Sequence, residues 1–116
     1  MTIRIPIGNN LSYIAGIFDG EGHFHLTRTG WVIGFTNTNR RVMNYLRGQL
    51  GRNYYAQKNT KPNCQKSYKL WVCGRIDVLK LTEAMLPFLI IKRRKALQVA
   101  TSLTREFKTK NGSTPK

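Results

Sequence analysis

Apolar residues along the chain change period several times, and each change predicts an element. Leu11, Ile14, Ala15 and Phe18 recur at helical spacing, which predicts a helix over residues 10–21 with Asn9-Asn10 as its cap and Gly20 to Gly22 as its stop. Phe24 and Leu26 then alternate with His23, His25, Thr27 and Thr29, the period of a half-buried strand. Thr29-Gly30 reads as a turn into a second strand, Trp31 to Thr38, with Ile33 and Phe35 on one face and Val32, Gly34 and Thr36 on the other. Asn39 caps a helix that runs to about Leu50, with Val42, Met43, Leu46 and Leu50 as its apolar stripe and Gly51 as its stop. A second strand pair, Asn53 to Lys58 and Gln65 to Cys73, flanks the polar stretch Asn59 to Cys64, with Tyr68, Leu70 and Val72 opposite Ser67, Lys69 and Trp71. Helical spacing returns from Ile76 to Leu86. Pro87 opens a fresh helix at a tolerated first-turn position, and Ala96, Leu97, Val99, Ala100 and Leu103 carry it toward Phe107.

This order, α-β-β-α-β-β-α-α, predicts an α+β domain over residues 1–107, followed by a disordered basic tail over 108–116. Two hairpins can join into one antiparallel sheet with helices on one face and the other face open. The open face collects His23, His25, Thr27, Thr29, Val32, Thr36, Lys58, Ser67, Lys69 and Trp71, and no acid falls in any of the four strands. A polar, cationic antiparallel ribbon of this kind can enter a DNA major groove and reach base edges and phosphates.

Charge strengthens that picture. The 116 residues hold 20 Lys plus Arg against 5 Asp plus Glu, a formal charge of +15, and 41% hydrophobic residues are enough for a real core. A chain that is wholly a disordered basic segment is thereby excluded, and a polyanionic partner is implied, nucleic acid being the commonest. No apolar run approaches the roughly 20 residues that span a bilayer. The longest, Met85 to Ile91, contains Pro87. Neither a secretory nor a transit pattern opens the chain, so an intracellular protein without membrane attachment is expected. Cys64 and Cys73 read as two free thiols.

With acids this scarce, their placement carries information. Asp19 and Glu21 lie within three residues at a predicted helix C-terminus, where the macrodipole disfavours carboxylates. A divalent cation held by a carboxylate and nearby carbonyl oxygens would offset that cost, and Mg²⁺ prefers such hard ligands. His23 and His25 share a strand face with Glu21, but Gly22 interrupts the strand between them, which favours a DNA-facing role over a three-ligand metal site.

The segment Tyr13-Ile14-Ala15-Gly16-Ile17-Phe18-Asp19-Gly20-Glu21-Gly22 closely resembles the defining motif of the LAGLIDADG homing endonucleases. Leu86-Pro87-Phe88-Leu89-Ile90-Ile91-Lys92-Arg93-Arg94 resembles the family's second recurrent segment, so the resemblance spans roughly residues 11–103. It implies an αββαββα fold with a saddle-shaped antiparallel sheet and a homodimer formed through helix one. Ala15 with Asp19, and Gly16 with Gly20, would leave that helix nearly bare for close approach. The resemblance further implies that Glu21, where the motif's name has Asp, binds catalytic Mg²⁺ (with Mn²⁺ as a substitute) beside a backbone carbonyl near Gly20. Lys92 would stand beside the scissile phosphate, with Asn37 ordering water and Arg41 as a peripheral cation. The implied activity is cleavage of both strands of a long pseudo-palindromic double-stranded DNA site. Binding of intron RNA as a maturase, or DNA binding without catalysis, are the alternatives on the same scaffold.

Overall fold

A computed structural model describes residues 3–57 and 66–111. Its elements run α1 (Gly8–Glu21), β1 (Gly22–Thr27), β2 (Gly30–Asn37), α2 (Arg40–Leu50), β3 (Tyr54–Ala56), β4 (Tyr68–Val72), α3 (Arg75–Met85), a 3₁₀ turn (Leu86–Phe88) and α4 (Arg93–Asn111). Expected and observed order agree up to Pro87. The four strands form one antiparallel sheet in the order β1-β2-β4-β3, so the two hairpins meet along β2 and β4.

The core lies between the sheet and the helices. Ile33 and Phe35 from β2 and Leu70 and Val72 from β4 meet Ile14, Ala15 and Phe18 of α1, Met43, Leu46 and Leu50 of α2, and Val78, Leu81 and Met85 of α3. Burying each large apolar side chain contributes about 1.5–3 kcal/mol. Phe18 is central to this packing: its ring stands edge-on to Phe24 at 4.9 Å and to Phe35 at 5.4 Å. Its position also explains Gly22, because a Cβ there would lie 2.1 Å from Cδ1 of Phe18. The helix end and the first strand can therefore meet only through glycine.

Local signals explain the α2 boundaries. Asn39 Oδ1 accepts from the amides of Arg41 (2.8 Å) and Val42 (3.3 Å), and Gly51 ends the helix at φ +71 with its N–H donated to Arg47 O at 2.9 Å. The α1 cap differs from expectation. Ile7 precedes the helix with no side-chain cap, Gly8 enters at φ +60, and Asn10 instead accepts from the Tyr45 hydroxyl at 2.7 Å. Upstream, the amide of Arg4 donates to Leu50 O at 2.9 Å and Ile3 is buried, so the segment before α1 packs on the end of α2.

Four further expectations are corrected. Pro87 occupies the 3₁₀ turn and does not begin α4; an irregular strap, Leu89–Lys92, intervenes because the N–H groups of Ile90, Ile91 and Lys92 are drawn to Asp19 rather than to helical partners. Leu26, expected to be covered, is 59% exposed near the hairpin tip, where the helical layer does not cover it. Val32, expected to be available on the open face, is only 7% exposed on an inner strand opposite His25, and so offers little surface to a ligand. The backbone of α4 continues past Phe107 to Asn111. Lys58, Cys64 and the stretch Asn59 to Cys64 lie outside the described residues, as do residues 112–116.

Candidate active site and nucleic-acid interface

The end of α1 gives its two acids opposite environments. Asp19 is buried at 9% exposure, whereas Glu21, two residues on, is exposed at the rim of the sheet. Asp19 Oδ2 accepts from the amides of Ile90 and Ile91, both at 3.0 Å, and Oδ1 accepts from the amide of Lys92 at 2.8 Å. Burial alone would raise the Asp19 pKa, but the three amides and the nearby Lys92 charge outweigh it and hold the carboxyl below the usual carboxylate range. The cost of an acid at a helix C-terminus is thus offset by backbone donors from the strap, and Asp19 is not a free cation ligand.

Glu21 is positioned for other work. Its Oε1 accepts from Asn37 Nδ2 at 2.5 Å, and Asn37 Oδ1 accepts from the amide of Asn39 at 2.8 Å. Asn37 is therefore held by the loop into α2, and it in turn orients the carboxylate. Lys92 Nζ donates to the main-chain oxygen of Asp19 at 2.7 Å and lies 5.9 Å from the centre of the Phe18 ring. Its charge also reaches His23: burial first, then the charges of Lys69, His25 and Lys92, lower the His23 pKa, so the imidazole is neutral at pH 7. Glu21, Asn37, Lys92 and His23 consequently gather at one end of the sheet. Arg41 is exposed at the start of α2, one turn from Asn37 in the chain.

Among the described residues, no three His, Cys, Asp or Glu side chains converge as a metal site. The donors that are present suit a different kind of ion. One exposed carboxylate, with Oε2 clear of the Asn37 bond, and the adjacent exposed Gly20 are hard-oxygen donors for a cation that keeps most of its waters and takes further ligands from a phosphate.

The sheet's open face carries an assembled aromatic cluster. In register, His23 stands opposite Gly34 and Gly34 opposite Trp71. The His23 and Trp71 rings meet edge-on above that glycine at 5.4 Å, His25 stands 6.1 Å from Trp71, and Lys69 Nζ lies 4.7 Å over the indole. Trp71 Nε1 donates to the hydroxyl of Tyr55 at 2.8 Å. A Cβ on Gly34 would fall 2.6 Å from His23 Nε2 and 2.9 Å from the Trp71 ring. Sequence reasoning assigned neither Gly34 nor Tyr55 a role, although glycine inside a strand is itself a signal of close approach.

The remaining predicted residues divide. Thr27 Oγ1 donates to Gly30 O at 2.9 Å and contacts Thr29 Oγ1 at 3.1 Å, so both threonines stabilise the hairpin turn. Ser67 precedes β4 and donates to Gln57 Oε1 at 2.9 Å; Thr36 sits opposite Lys69, partly exposed. Of the four residues expected on a bare helix stripe, Ala15 is fully buried and Asp19 is spent on the strap, which leaves Gly16 and Gly20 exposed with nothing near their Cβ positions. The periodicity that made Ala15 look available also places it beside Ile14 and Phe18, in the core. Of the two lysines expected on the open face, Lys69 lies in β4 and Lys58 lies outside the described residues.

The family model for the LAGLIDADG-like domain matches residues 9–85, and the chain belongs to this family. The matched span holds Asp19, Glu21, Asn37 and the whole sheet, while Lys92 lies beyond it. Among solved structures, the fold is similar to that of the homing endonuclease I-CvuI bound to the I-CreI target with Mg²⁺ and the DNA not cleaved (18% identity, 87% of this chain and 69% of that one, TM-score 0.60). I-CvuI bound to its own target with Ca²⁺ matches at 18% identity over 86% of this chain and 69% of that one, with a TM-score of 0.63. The archaeal intron-encoded homing endonuclease I-Vdi141I in complex with DNA matches at 20% identity over 91% of this chain and 86% of that one, with a TM-score of 0.54. A comparison with the curated proteins finds no match.

Proposed function

We propose that the chain is a homing endonuclease that, as a homodimer, cuts both strands of a long pseudo-palindromic duplex by metal-dependent phosphodiester hydrolysis. The observation that carries this reading is the exposed Glu21 carboxylate, held by Asn37 at the rim of a sheet whose strands contain no acid. A protein that only bound DNA would gain nothing from a carboxylate where phosphate must dock. The DNA in the I-CvuI and I-Vdi141I complexes, and the Mg²⁺ or Ca²⁺ present with I-CvuI, support the same reading.

In this mechanism Glu21, with the carbonyl at Gly20, would hold Mg²⁺, with Mn²⁺ as a substitute. The ion would supply Lewis acidity toward phosphate oxygens. Asn37 keeps the carboxylate turned toward the rim. Lys92 brings an ammonium to the same end of the sheet, where it would offset negative charge developing on the attacked phosphate. Arg41 would add a peripheral cation. The His23, Lys69, Trp71 and Tyr55 cluster would meet base edges in the major groove. One chain offers one such carboxylate, so cutting two strands calls for two copies, brought together along the Gly16 and Gly20 face of α1.

Cleavage selection from a randomised duplex library tests activity, symmetry and metal use together. Recovery of a pseudo-palindromic site cut with Mg²⁺ or Mn²⁺ and uncut with EDTA is expected, whereas binding with no scission under any divalent ion would contradict the proposal. Sedimentation should give twice the chain mass; a strict monomer with and without DNA would contradict the interface.

RNA binding is a second reading, favoured by one observation. Arg40, Arg41 and Arg47 are exposed on α2, whose opposite side, Met43, Leu46 and Leu50, packs into the core beneath the sheet. Phosphate contacts there would leave the open face free for a duplex. Substituting Arg40 and Arg47, which have no part in the proposed cleavage site, by Gln should weaken intron RNA binding and spare DNA binding; equal loss of both would contradict a separate RNA surface.

A further inference from the structure

We propose that Asp19 is a positioning residue for Lys92: it binds both ends of that lysine and so sets the ammonium at a fixed place relative to Glu21. This inference rests on the endonuclease reading of Glu21 and Lys92 given above.

The first contact is with the backbone. Three successive N–H groups, from Ile90, Ile91 and Lys92, converge on the Asp19 carboxylate at 2.8–3.0 Å. Successive amides aimed at one anion form a concave nest, a shape that the strap keeps only while the anion fills it. Burial does not hold the strap in that shape. Leu89 is buried, but Ile90 and Ile91 are 84% and 75% exposed and the next buried anchor is Ala96. Within Ile90 to Lys92 the conformation is therefore set by the carboxylate.

The second contact is with the side chain. Lys92 Nζ donates at 2.7 Å to the main-chain oxygen of Asp19, in the last turn of α1. Carbonyls in a last helical turn lack intrahelical partners and carry the negative end of the dipole, so an ammonium is favoured there. A free lysine samples many rotamers. Lys92 is held at its amide and at its ammonium by the same residue, which leaves few. Asp19 and Glu21 are two residues apart at one helix end, so the placement of the cation relative to the metal-binding acid follows the rigid backbone of α1 rather than the flexible lysine. Displacements of about 1 Å in such an arrangement cost on the order of 100-fold in rate.

Asparagine at position 19 keeps the shape but removes the anion and turns an NH₂ group toward the strap amides. The test is a double-mutant cycle of Asp19→Asn and Lys92→Met on the duplex recovered by cleavage selection, with affinity measured without divalent metal. We expect Asp19→Asn to lower kcat by about 100-fold with KM for the duplex unchanged, and the double variant to be no slower than Lys92→Met alone. Additive losses, or an Asp19→Asn protein with unchanged kcat, would overturn the inference. Amide hydrogen exchange on the unsubstituted protein provides a readout independent of activity and of whether the variant folds. Ile90, Ile91 and Lys92 should exchange slowly despite two exposed side chains, and fast exchange at all three would also overturn the inference. A Lys92→Met protein that cleaves like the parent would instead overturn the reading of the site, and this inference with it.

Discussion

The junction between α1 and the strap and the open face of the sheet are built in opposite ways. At the junction, Asp19 works through main-chain groups: three strap amides and its own carbonyl on Lys92. On the open face the contacts are between side chains, His23, Lys69 and Tyr55 all meeting Trp71. A junction made of main chain tolerates many strap side chains but only an anion at position 19. A face made of side chains can be rewritten residue by residue, so recognition can change while the geometry of the proposed chemistry is kept.

The largest expected effect is on the shared foundation of both regions. Phe18 packs on Phe24 and Phe35 and lies beneath Lys92, so Phe18→Ala should cost about 3–5 kcal/mol of folding stability by denaturant titration. A loss below about 1 kcal/mol would mean that the two regions do not share that support. Next, Trp71→Ala should weaken duplex binding by about 1–3 kcal/mol, in the range of a lost base contact, with little change in melting temperature. An unchanged affinity would remove the aromatic cluster from the interface. Lys69→Gln should reduce the slope of log affinity against log salt by about 1, the signature of one phosphate contact. An unaltered slope would place Lys69 away from phosphate. The smallest effect is expected for Ile91→Ser: the strap uses the amide of Ile91 and leaves its side chain 75% exposed, so folding stability should change by no more than about 0.5 kcal/mol. A larger loss would show that the junction depends on side chains after all.

How far the sequence could be read follows from the same contrast. The element order, the α2 stripe of Met43, Leu46 and Leu50, and its Asn39 and Gly51 ends were legible because they depend on periodicity and local capping. The placement of Glu21 at a helix end beside a strand was legible from the motif and the period change. Asp19 was recognisable as belonging to the helix end, but its partners were not, since they lie 71 to 73 residues away and are backbone amides with no side-chain signature. The strap after Pro87 read as helix for the same reason: what bends it sits on another element. Ala15 and Gly34 show the tertiary part of the problem. Small residues signal close approach without saying what approaches, and here it is the core at Ala15 and the His23 and Trp71 rings at Gly34.

Everything proposed for the site turns on the exposed acid at the end of α1. Glu21→Gln keeps the size of the side chain and an oxygen facing Asn37 while removing the charge. Cleavage and affinity measured side by side on the selected duplex with Mg²⁺ therefore provide the most direct test. Loss of cleavage at unchanged affinity is expected, and a Glu21→Gln protein that cuts at the parental rate would contradict the account.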